Sequence, residues 1–152
     1  MEYEIVEKPP SPEEYIQLRQ LVGWGIHKRE TIINALPNSL YCVCAYLNAE
    51  IIGMARIIGD GGLAYYIQDV IIKHDYQRKG IGTELMNKII EYVRTHASDN
   101  TVIGLMSAEG KETFYERYGF TKRPVDRFGS GMTMFWKAEK VDSCYNLKHL
   151  VG

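Results

Sequence analysis

One junction constrains this chain more than any other stretch. An apolar strand, Asp69-Val70-Ile71-Ile72, runs into a polar turn from Lys73 to Lys79, which opens into Gly80-Ile81-Gly82-Thr83 and a long amphipathic segment. Two glycines in the first turn of a helix let the backbone approach a ligand without side-chain obstruction. The unpaired N–H groups of that turn, with the helix dipole, suit an anion such as a pyrophosphate. Arg78 and Lys79 add positive charge beside it, and the Thr83 hydroxyl can donate a further hydrogen bond.

Two nucleotide-binding patterns fail on detail. A dinucleotide fingerprint requires a third glycine, and Leu85 stands where it would fall after Gly80 and Gly82. A P-loop requires Gly-Lys-Ser/Thr, whereas here Lys79 precedes its glycine. On its own the junction specifies an anion at a helix start, or simply a tight glycine-rich turn.

The rest of the chain reads as one α/β domain spanning residues 1–152. Glu2 to Val6 predicts a short edge strand. Ser11-Pro12-Glu13-Glu14 combines a capping serine, a proline at the first helical position and acids in the first turn, predicting a helix to about Val22. A shorter helix is predicted over Arg29 to Leu36, stopping before Pro37. Strands follow at Leu40 to Leu47, Ile51 to Ile58 and Leu63 to Ile72, separated by Asn48-Ala49-Glu50 and Asp60-Gly61-Gly62. The helix from about Gly80 to His96 carries Ile81, Leu85, Met86, Ile89, Ile90 and Val93 at three- and four-residue spacings. A strand over Thr101 to Met106, a short helix over Lys111 to Tyr118 and a final strand over Met132 to Lys137 complete the prediction. That last strand offers an edge through which two copies can pair as a homodimer.

Charge and cysteine usage exclude several function classes. A formal net charge of -1 leaves no overall basic field for nucleic acid or an anionic membrane surface, so any anionic ligand must be held locally. Three cysteines cannot build a disulfide framework; Cys42 and Cys44, two apart in an apolar run, read as core. No Cys or His cluster has metal-ligand spacing, so no metal is expected. The N-terminus lacks the apolar segment of a signal peptide, and with the cysteine usage this predicts a reducing, cytoplasmic setting.

In context, Gln77-x-x-Gly80-x-Gly82 after an apolar strand resembles the acetyl-CoA signature of the GNAT N-acetyltransferase superfamily. Phe114-Tyr115-Glu116-Arg117-Tyr118-Gly119-Phe120 resembles that superfamily's second landmark, an aromatic-Tyr helix ending in Gly-Phe. The resemblance covers roughly Leu40 to Trp136. It implies a mixed, mostly antiparallel twisted sheet flanked by helices, and an enzyme in which an amine attacks the thioester of acetyl-CoA directly. It also implies backbone contacts from Val70, Ile71 and Ile72 to the pantetheine arm, with the Val70 N–H facing the thioester oxygen. Gln77, Arg78, Lys79, Gly80, Ile81, Gly82 and Thr83 are the implied pyrophosphate contacts, and Tyr115 the implied general acid.

Two positions depart from the superfamily pattern. Tyr66 stands near where some members carry a strand glutamate, and Ala108 where many carry an asparagine that contacts the pantetheine. Asp69, the carboxylate that breaks the apolar strand, is then the candidate base or amine anchor, with Glu109 and His27 weaker. Trp24, Tyr65, Tyr66, Asp126 and Phe128 are candidate lining residues of an aromatic, acidic pocket for a small cationic amine. The tract Arg123-Pro124 and Gly129-Ser130-Gly131-Met132 resembles small bacterial members and points to a small molecule over a basic protein tail. A non-catalytic acyl-CoA-binding sensor, or a different acyl group, is the alternative.

Overall fold

A computed structural model of the chain describes residues 1–138. These fall into two compact units, one from Met1 to Phe120 and one beginning at Thr121. The first unit contains a five-stranded sheet in the order β1-β2-β3-β4-β5, with β1 Glu4–Val6, β2 Tyr41–Leu47, β3 Glu50–Gly59, β4 Ala64–Ile72 and β5 Val102–Leu105. Neighbours are antiparallel except β4 and β5, which run parallel. Parallel neighbours need a crossover, supplied here by helix α3, Ile81–His96.

Local chemistry explains the element ends. In α1, Pro12–Leu21, the Ser11 hydroxyl accepts from the Glu14 N–H at 3.1 Å while the Glu14 carboxylate accepts from the Ser11 N–H at 2.8 Å. Helix α2 covers Arg29–Ala35 and passes into a single 3-10 turn, Leu36–Asn38. The β2–β3 turn places Asn48 and Ala49 both at positive φ, the geometry that matches the twist of a tight hairpin. The Asp60 carboxylate accepts from the N–H groups of Gly62, Leu63 and Ala64 and closes the next turn.

The sheet separates two cores. Beneath α3, Ile81, Leu85, Met86, Ile89 and Val93 pack on Val43, Ala45, Ala55, Ile57, Tyr65 and Ile67. On the opposite face, Tyr15, Leu18 and Ile32 of α1 and α2 pack on Cys44, Met54 and Ile71. Tyr65 and Ile67 therefore face α3, whereas Ile71, an even number of residues farther along the same strand, faces α1 and α2. Strand alternation is reversed by a β-bulge: Met54 pairs with Ile71 and Arg56 with Gln68, so Asp69 and Val70 together oppose Ala55. Asp69 adopts φ 55, a left-handed conformation that aspartate tolerates better than most residues.

The strand predicted over Met132 to Lys137 is not formed. Residues 131–138 have no regular structure, and among the described residues no strand pairs with them; a strand exists only through its ladder. Cys144 and His149 lie outside the described residues. Among the described residues no helix is long and apolar enough to cross a membrane.

Candidate active site

Pairing between β4 and β5 stops early. The ladder runs from Ala64↔Val102 to Ile67↔Leu105, while β4 continues to Ile72. From Gln68 onward, the β5-side edge of β4 has no strand partner. The Lys73 N–H donates to the Ile52 carbonyl, toward β3. Alternation along the strand then directs the N–H and C=O of Val70 and Ile72 to the unpaired edge. This gap beyond the end of β5 can accept an extended ligand as an added strand.

The gap leads into the glycine turn. The Gln77 side-chain amide donates to the Ile72 carbonyl at 3.0 Å, so the signature glutamine spends its N–H tying the turn to the end of β4. Arg78 sits at φ 61 and Gly80, the residue before α3, at φ 86. The first helical bond is Glu84 N–H to Gly80 C=O, leaving the N–H groups of Ile81, Gly82 and Thr83 without helical partners. Ile81 is buried, so its side chain belongs to the core and only its backbone is available.

The two glycines differ in their reasons. Gly80 is required by its positive φ, though a Cβ there would meet nothing. Gly82 is helical, and a Cβ would meet Ile72 Cγ1 and Phe114 Cζ each at 3.7 Å, ordinary contact. The protein's own packing does not demand a glycine at 82, and its missing side chain leaves the backbone of this turn open to close approach. Arg78 and Lys79 are exposed, Lys79 Nζ lies 5.6 Å from the Tyr76 ring centroid, and no ion pair among the described residues neutralises either. This chemistry fits the pyrophosphate and pantetheine of acetyl-CoA.

The second landmark lies against the first. Helix α4, Glu112–Glu116, places Phe114 beside Gly82 and is followed by Tyr118, whose hydroxyl donates to the Thr83 carbonyl at 3.3 Å. Tyr115 is buried between aromatic neighbours, its ring 5.1 Å from Phe114 and 6.3 Å from Phe120. Its hydroxyl has no hydrogen bond within the described residues, and burial alone pushes its pKa up to about 12.

Asp69 takes a different part from the one its sequence position suggests. Its side chain is fully buried, with Oδ1 accepting from Arg19 Nη1 at 2.8 Å. Oδ2 accepts from Arg56 Nε at 2.7 Å and from the Tyr15 hydroxyl at 2.7 Å. Both oxygens are engaged by cationic or phenolic donors, which corrects the expectation of a catalytic base: the carboxylate anchors the bulge to α1 and β3. Arg19, Arg56 and Tyr15 were not singled out from the sequence. A signal existed, since Arg56 and Asp69 are isolated opposite charges in consecutive apolar strands, and buried charges occur in pairs.

The predicted lining residues divide. Trp24 packs on the α1–α2 face, 5.5 Å from the Arg19 guanidinium, and Tyr66 is half-buried and faces the same side, opposite to Tyr65. Tyr65 does not join them: it lies in the α3 core, 2% exposed, edge-on to Tyr92, with a buried hydroxyl that has no partner. The period-two alternation sends adjacent tyrosines to opposite faces. Asp126 belongs to the second unit, exposed and at φ 48, in a turn closed by bonds between Val125 and Phe128. His27 and Glu109 are exposed. No group of three or more His, Cys, Asp or Glu among the described residues can hold a metal.

Comparison with known proteins agrees with this geometry. The acetyltransferase (GNAT) domain family matches residues 23–135. An uncharacterized N-acetyltransferase ycf52 of Pyropia yezoensis is 30% identical over 124 residues, covering 79% of this chain and 68% of that protein. A ycf52-like N-acetyltransferase of Prochlorococcus marinus is 33% identical over 112 residues, covering 71% of this chain and 61% of its relative. The chain thus spans about two thirds of the length of these curated relatives. A crystal structure of a probable acetyltransferase from meticillin-resistant Staphylococcus aureus superposes with a TM-score of 0.82 at 28% identity, covering 89% of this chain and all of that one.

Proposed function

This chain belongs to the GNAT acetyltransferase family, and from that premise we propose that it transfers the acetyl group of acetyl-CoA to the primary amine of a small molecule, with Tyr115 as general acid. The amine nitrogen bonds to the carbonyl carbon, the C–S bond breaks, the sulfur takes up a proton and the nitrogen loses one. Val70 offers its N–H to the carbonyl oxygen, where charge develops. Tyr115 offers its hydroxyl proton to the departing sulfur.

The observation that carries this reading is Tyr115 of α4, a largely buried phenol whose hydroxyl makes no hydrogen bond among the described residues, next in the chain to the Phe114 that lies beside Gly82. A pKa near 12 also defines its action: the phenol stays a donor throughout the neutral range but is a reluctant acid. Its proton passes to the sulfur as the C–S bond breaks.

A near-neutral chain supports a small acceptor over a basic protein tail, whose docking calls for an acidic surface. The test is thiol release from acetyl-CoA across a panel of amines, with Tyr115→Phe alongside the native protein. The variant keeps the aromatic packing and is expected to lose on the order of a hundredfold in kcat. Full turnover by Tyr115→Phe would remove the acid role. Tight coenzyme binding without release for any amine would mark a sensor instead of an enzyme.

A further inference from the structure

The cluster around Asp69 is not electrically balanced. Two guanidiniums, Arg19 and Arg56, meet one carboxylate, leaving an excess of one positive charge. Their other partners are neutral: the Gly25 carbonyl and Tyr15 hydroxyl for Arg19, and the Ser39 hydroxyl for Arg56. The arginine side chains are 11% and 12% exposed, so the excess charge is poorly hydrated yet reachable. The bonds named here use Nε and Nη1 of each guanidinium and neither Nη2. Aromatic faces support both groups, with the Tyr15 ring 5.7 Å from Arg19 and 6.0 Å from Arg56, and Trp24 on the other part of Arg19.

The position matters as much as the charge. Asp69 immediately precedes Val70, on the stretch of β4 that β5 no longer pairs, and its side chain points to the face covered by α1 and α2. In the proposed reaction, an acceptor whose amine approaches the thioester carbon from that face comes near the two arginines that hold Asp69.

We infer that the acceptor carries a carboxylate as well as its amine, and that the Nη2 groups of Arg19 and Arg56, which make none of these bonds, bind it. A single excess charge is matched by a monoanion, whereas a phosphate near neutral pH brings almost two charges. The two oxygens of a carboxylate can accept from two such N–H donors in charge-assisted bonds. The acceptor is thus an amino-acid-like zwitterion, and Arg19 and Arg56 set specificity in addition to holding the bulge through Asp69. The inference rests on the proposed small-amine reading.

The test compares kcat/KM for acceptors that share an amine and differ only in the anion: amino acids against their amides, and O-phosphoethanolamine against ethanolamine. Rates are referred to the unprotonated amine. Carboxylates are expected to exceed their amides by on the order of ten- to a hundredfold, as for charge-assisted hydrogen bonds. Arg19→Lys, which keeps a charge on Asp69 but loses the fork, is expected to narrow that ratio mainly through KM for the carboxylates, and Arg56→Lys serves as a second variant if the first fails to fold. Equal rates for acids and amides, a preference confined to the phosphate, or a ratio unchanged by both lysine variants would overturn the inference while leaving the amine reading intact. If no amine is acetylated at all, that reading fails by itself. Calorimetric titration of the protein–coenzyme A complex with N-acetylated amino acids and their amides then decides the carboxylate site: binding confined to the acids supports it, and no difference overturns it.

Discussion

The two faces of the sheet are stabilised by different physics. Under α3 the contacts are apolar and periodic, with Leu85, Met86 and Ile89 entirely removed from solvent. Each such side chain contributes about 1.5–3 kcal/mol by burial, without regard to its exact orientation. Under α1 and α2 the same sheet presents Cys44, Met54 and Ile71 beside an ion cluster that requires one geometry. The apolar face tolerates small shifts; the ionic face fixes the bulge, and through it the direction of Val70. Rigidity is concentrated where the proposed chemistry needs it.

The strongest challenge to this contrast is Asp69→Asn. It removes no volume but leaves two guanidiniums without a counter-charge, and about 3–5 kcal/mol of stability should be lost in chemical denaturation. Leu85→Ala should cost about 2–5 kcal/mol by opening a cavity, with little dependence on salt. A loss below about 1 kcal/mol for Asp69→Asn would erase the distinction between the faces.

The contrast also explains which parts were legible from sequence. Helix α3 was readable because five buried residues recur at helical spacing, and α1 because Ser11, Pro12 and Glu14 form a self-contained start signal. The glycine turn and the Phe114–Phe120 segment were readable as residues, but not the contact of Phe114 with Gly82 that joins them. The bulge was hidden. Nothing in Gln68-Asp69-Val70 announces a positive φ, and without it Asp69 and Tyr65 were both assigned to the pocket. The bulge sends Asp69 to the α1 face, where two arginines saturate it, and leaves Tyr65 under α3. Met132 to Lys137 has strand composition, but composition cannot supply a partner.

Smaller effects sharpen the contrast at the glycine turn. Gly80→Ala should cost about 1–2 kcal/mol in stability, because an L residue is strained at φ 86. Gly82→Ala should raise stability, by up to about 1 kcal/mol from helix propensity. It is nevertheless expected to weaken coenzyme binding in a titration, because the new methyl crowds the turn whose N–H groups are proposed to receive the pyrophosphate. If Gly82→Ala binds coenzyme as well as the native chain, close approach is not what that glycine provides.

The smallest expected effect is alkaline. Tyr115 has a folded pKa of about 12 against an unfolded value near 10, so between these values the unfolded chain releases a proton that the folded chain retains. Stability is unaffected by this group below about pH 10 and declines above it, leveling past about 12. Denaturation curves of Tyr115→Phe should show a shallower decline over that window, and an identical slope would mean that the hydroxyl is not as desolvated as its surroundings indicate.

The early end of the β4–β5 ladder has a consequence for how the chain avoids unwanted company. An unpaired strand edge on the rim of a sheet invites any passing polypeptide to add to it, and proteins guard such edges. Here the unpaired stretch is only the end of β4 past Ile67, directly following the last β5 pair, so an incoming peptide has few ladder bonds to make and must fit beside the end of β5. A slender, unbranched arm has no such difficulty. The chain can therefore keep hydrogen-bonding groups open for a ligand without advertising them to other proteins, and selectivity begins with cross-section before any charge is read.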